Sequence, residues 1–87
     1  MVSRHKVGLV FGGVAAIGHI VWSALVALGW AEAVRDFAIN LHFMDATYYG
    51  PIMPFSFWGA LELVVIASLF AYVLGFVFAA VWNRMMR

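Results

Sequence analysis

No Asp, Glu, Lys or Arg occurs between Lys6 and Glu32, so residues 7–31 form an unbroken apolar run. As a helix rising about 1.5 Å per residue, that run crosses a hydrocarbon core of about 30 Å with some tilt. A second apolar run covers residues 57–82 and is interrupted by one acid, Glu62. Neither run alternates polar with apolar positions as a barrel strand does, so both predict spanning helices. Between them the pattern changes. Val34, Phe37, Ala38, Leu41 and Met44 recur at three- and four-residue steps, while Glu32, Arg35, Asp36 and Asn40 point in other directions. This predicts a short amphipathic helix over about 32–44, lying at the membrane surface with its stripe toward lipid or the hairpin. Tyr49-Gly50-Pro51 and Pro54 then break the helix and return the chain to the membrane.

The predicted architecture is an all-α membrane protein, a two-helix transmembrane hairpin with an interfacial amphipathic helix in its connection. Its parts are a basic flank (1–6), a first span (7–31), an outer connection (32–56), a second span (57–82) and a basic tail (83–87). Composition supports the membrane reading: 67% of residues are hydrophobic and 10% charged, against roughly 25% charged in soluble domains. The absence of cysteine excludes disulfides and thiolate chemistry. Arg4, Lys6, Arg84 and Arg87 flank the terminal ends of the two runs, whereas the connection holds Arg35 with Glu32, Asp36 and Asp45. That bias places both ends in the cytoplasm. Trp30, Tyr48, Tyr49 and Trp58 would mark the outer interface and Trp82 the inner one. Arg4-His5-Lys6 and Ala31-Glu32-Ala33 resemble the start and cleavage site of a signal peptide, but the apolar run between them is too long for one.

Small residues form the most regular pattern. Gly8, Gly12 and Ala16 recur along the first run, and Ala67, Ala71, Gly75 and Ala79 along the second. Such stripes let helix backbones approach closely in lipid, either within the hairpin or against other subunits. His19 lies near the middle of the first span, where an ionisable group is costly. Ala15 and Ser23 stand one turn to either side of it and Trp22 follows. The small neighbours leave a flat recess in which His19 could ligate a planar tetrapyrrole, bacteriochlorophyll or haem; the plainer reading is a neutral imidazole bonded across to another helix. Glu62 is the second ionisable group, roughly 140–260° around its helix from the Ala67–Ala79 stripe. It is expected to point at a partner, a lumen or water, and to lie two turns from His19 in depth. On the outer side, His42 and Met44, near Asp45 and Met53, are candidate ligands for copper, although Met44 also continues the amphipathic stripe. His5 joins Arg4 and Lys6 in a basic flank for anionic headgroups.

Two resemblances follow from these residues. Ala15-xxx-His19 with its following aromatic residue resembles the pigment-binding helix of purple-bacterial light-harvesting polypeptides. Residues 71–83, with Phe78-Ala79 and Trp82-Asn83, resemble the closing helix of small two-pass bacterial membrane proteins of uncharacterised function, as does Gly29-Trp30 at the end of the first run. The second resemblance implies a bacterial inner-membrane location and brings no activity with it. No phosphate loop, nucleophile–base pair, paired carboxylates or nucleic-acid patch is present, so neither an enzyme nor a nucleic-acid binder is expected. The leading expectation is an accessory subunit that packs laterally, through its small-residue faces, against other membrane subunits or itself. The alternatives are a pigment- or haem-binding subunit using His19, and an oligomeric ion or proton conductor using Glu62.

Overall fold

The computed structural model describes all 87 residues, and all of its regular structure is helical. Helix α1 covers Arg4–Leu28, α2 Ala31–Leu41, a single 3-10 turn Ala46–Tyr48, and α3 Phe57–Met85. Two of these, α1 and α3, are long and apolar enough to cross a membrane. They lie side by side as an antiparallel pair in a molecule only 15 Å thick, with no further layer over either face. Five residues in the whole chain are buried: Gly8, Gly12, Ala31, Gly75 and Ala79. The core is therefore a seam of small side chains, and the large aliphatic and aromatic residues point outward.

The helix ends differ from the sequence expectation because caps, not hydropathy, set them. Helix α1 starts three residues before the apolar run, where the Ser3 side chain accepts from the Lys6 N–H and caps the first turn. It stops at Leu28 although the apolar run continues. Gly29 takes a left-handed φ of 80°, and the Gly29 and Trp30 N–H groups donate back to Val26 and Leu25. These paired bonds are a Schellman ending, which glycine makes without strain. Helix α3 begins at Phe57 as expected, capped by the Ser56 hydroxyl, and runs on through Arg84 to Met85.

Helix α2 stops at Leu41 rather than at 44. His42 closes it and Phe43 follows at a positive φ of 62°, so Met44 lies beyond the helix and does not extend its stripe. The stripe residues Val34, Phe37 and Leu41 of α2 are all exposed, although Ala31 at its start is buried. Arg35 provides the tie instead. It is half-buried, pairs with Asp36 at 2.9 Å and donates to the Gly50 carbonyl, which fastens α2 to the returning chain. The 3-10 turn was not anticipated. Asp45 caps it by accepting from both the amide and the hydroxyl of Thr47. Those bonds hold the Asp45 carboxyl below its ordinary range.

Candidate functional site

The small-residue stripes meet each other. A methyl group on Gly12 would stand 3.0 Å from the Ser68 carbonyl oxygen, and one on Gly8 2.7 Å from the Tyr72 ring. A methyl group on Gly75 would stand 2.9 Å from the Val7 carbonyl oxygen and 2.8 Å from Phe11. Ala79 is completely buried, while Ala16, Ala67 and Ala71 are half-buried along the same contact. Of the residues expected to mediate packing, Gly8, Gly12, Gly75 and Ala79 thus lie in the hairpin seam, with Tyr72 and Ser68 facing the first two. Backbone-to-backbone approach of this kind is what small residues permit in lipid.

Gly12 opposite Ser68 and Gly8 opposite Tyr72 set an antiparallel register in which each turn of α1 matches one turn of α3. Carried outward, this register corrects the expected depths. Glu62 falls within a turn of His19, not two turns away, and Trp58 falls nearer the level of Trp22 than of Trp30. The reason is the connection. Residues 50–56 have no helical structure and run beside the last turns of α1, so α3 begins a turn or more below the end of α1, roughly 5 Å or more.

His19 and Glu62 share a depth but not a bond. The His19 Nδ1–H donates to the Ala15 carbonyl at 2.7 Å, which fixes the tautomer and leaves Nε2 as the free nitrogen. The ring is half-buried on the face that carries Gly8, Gly12, Ala15 and Ser23. That face is turned to α3. Gly8 and Gly12 on that face meet Tyr72 and Ser68, and the His19 Nε2 carries no hydrogen bond within the chain. Trp22 and Ser23 do line an apolar groove nearby, but His19 is not among its lining residues. The imidazole thus bonds within its own helix and not across to another one.

Glu62 is exposed on the side of α3 away from the seam, and its carboxylate has neither a hydrogen bond nor an ion pair within the chain. His42 is likewise held by its own helix, Nδ1–H donating to the Ala38 carbonyl at 2.6 Å. No three His, Cys, Asp or Glu side chains converge on a common point anywhere in the molecule.

The end of the hairpin that holds both termini carries contacts beyond the hydropathy pattern. Val2 and Asn83 exchange two hydrogen bonds, each 2.8 Å long, that join the start of the chain to the last turns of α3. His5 Nδ1 and the Tyr72 hydroxyl hydrogen-bond at 2.8 Å, and the Arg4 guanidinium stands 5.3 Å over the Phe76 ring. A signal existed: Ser68 and Tyr72 continue the Gly75–Ala79 stripe at three- and four-residue steps, and two hydroxyls on a packing face call for partners. No family model, no curated protein and no solved structure matches the chain.

Proposed function

We propose that the protein is a two-pass membrane hairpin serving as a non-catalytic accessory subunit, docked laterally against another membrane subunit through the Glu62 face of α3. It lies in the bacterial inner membrane with both ends cytoplasmic, as the bias of Arg4, Lys6, Arg84 and Arg87 over Arg35 supports. The carrying observation is an exposed, unpartnered carboxylate between Leu61 and Leu63 on an otherwise apolar helix. An acid at that depth is costly unless it finds a donor, and this chain supplies none. A donor on a neighbouring subunit would satisfy it.

This reading moves the docking face. The small-residue stripes are spent on the seam, so Leu at Ala71 or Gly75 would disturb the hairpin itself and test nothing about partners. The informative change is Glu62→Leu, compared with wild type by gentle solubilisation and native mass measurement. Loss of a co-migrating subunit, with the hairpin still helical, is the expected result. A wild-type chain that runs as a lone monomer, or an assembly indifferent to Glu62→Leu, contradicts the proposal. A ring of identical copies with Glu62 on a common axis would conduct ions, and liposome flux unchanged by Glu62→Gln would exclude that second reading.

A further inference from the structure

The lower start of α3 leaves a groove of about 420 Å³ between the last turns of α1, the 50–56 segment and the first turns of α3. This is within the size range of small-molecule sites, roughly 300–1,000 Å³. Trp22, Val26, Ile52, Pro54, Ala60 and Leu63 make its walls mostly apolar. At its upper end, a smaller hollow of about 170 Å³ shares Val26, Ile52 and Pro54 and adds Ala31 and Glu32. An apolar groove that ends at a carboxylate suits an amphiphile.

Two further observations define that amphiphile. The N–H groups of Ile52, Met53, Phe55 and Ser56 find no acceptor in the chain, and they lie beside the end of α1. Met53, Phe55 and Ser56 are exposed, so these donors are open to a polar group from outside the chain. Glu32 also lacks an ion pair, because the nearby Arg35 is committed to Asp36 and the Gly50 carbonyl. The rim thus offers donors for ester and phosphate oxygens and one free negative charge. A peptide strand fits poorly, since Pro51 and Pro54 remove donors that a strand ladder requires.

We infer that this groove holds one outer-leaflet phospholipid with a primary-amine headgroup. One acyl chain lies along Trp22, Val26 and Ala60, the ester and phosphate oxygens accept from the 52–56 backbone, and the ammonium pairs with Glu32. The inference rests on the membrane reading but not on the Glu62 partner.

The test is native mass measurement of the purified chain, equilibrated with equal amounts of phosphatidylethanolamine, phosphatidylcholine and phosphatidylglycerol in mild detergent. One retained ethanolamine lipid per chain is expected. Glu32→Gln should lower its preference over phosphatidylcholine about fivefold, the size of one modest ion pair. Gly59→Leu should lower retention of every lipid by filling the groove. A Cβ there would meet Ser56 at an ordinary 3.5 Å, so the helix pair should stay intact, as circular dichroism can check. No retained lipid, or retention indifferent to headgroup and to both variants, overturns the inference while leaving the membrane reading standing. Release of the chain from membranes by alkaline carbonate overturns both.

Discussion

The two ends of the hairpin are built on opposite principles. At the end where the chain begins and finishes, α1 and α3 approach backbone to backbone through Gly8, Gly12, Gly75 and Ala79. There the Val2–Asn83 and His5–Tyr72 bonds clasp the chain ends across the seam. At the connecting end the helices are separated by a proline-bearing segment with unpaired backbone, and hollows open on both sides of Ser23 and Ala60. The difference shows how one short chain can close a helix pair at one end and leave it open at the other. Glycines and alanines at four-residue steps zip one end, while Pro51 and Pro54 keep the other from zipping.

The largest effect should come from filling the closed end. Gly75→Leu places atoms where Phe11 and the Val7 carbonyl already stand, and is expected to cost about 3 kcal/mol. Gly18→Leu, where an added Cβ meets nothing within 4 Å, should change stability by no more than about 0.5 kcal/mol. Unfolding in mixed detergent micelles, followed by helicity, measures both, and equal losses would break the contrast. A finer comparison uses two adjacent glycines. Gly12→Ala meets the Ser68 carbonyl at 3.0 Å and should cost about 1 kcal/mol, whereas Gly13→Ala faces open space and should be neutral or mildly stabilising.

Asn83→Ala removes both bonds to Val2 and should cost about 1 kcal/mol. Faster amide exchange in the first turn of α1, with the outer half unaffected, would show the loss is local. The smallest effect belongs to the connection. Asp45 is held below its ordinary pKa of 3.8 by the Thr47 amide and hydroxyl. The stabilisation it brings to the 46–48 turn is therefore present above pH 3.8 and lost as pH falls through its lower folded value. The Thr47 amide resonance should report that transition while the seam residues stay still.

Much of this fold is legible in the pattern of residues. Two long apolar runs and two small-residue stripes suffice for an antiparallel pair, because each stripe needs a partner and the other is the nearest one. The helix ends are less so. Hydropathy reports the surroundings of a side chain and carries on through Gly29, but the left-handed turn of Gly29 ends α1. The register lay further out of reach. A connection as long as 42–56 can leave the two helices level or offset, and here the 50–56 segment runs back beside α1. That offset brings Glu62 to the depth of His19 and opens the groove, features that only the folded chain displays. His19 shows the converse limit. Gly8 and Gly12 on its face mark the approach of α3, while the His19 Nδ1–H is given to Ala15 of its own helix.

The central claim is that α1 and α3 cross the bilayer as a closed hairpin, with both ends on the cytoplasmic face and the connection on the other. The chain has no cysteine, so single cysteines at Ser3, Thr47 and Met86 can report sidedness without background. In intact spheroplasts treated with a membrane-impermeant thiol reagent, the account predicts labelling at position 47 alone, with positions 3 and 86 reacting only after the membrane is opened. Labelling of all three in intact cells, or of 3 and 86 but not 47, would contradict it.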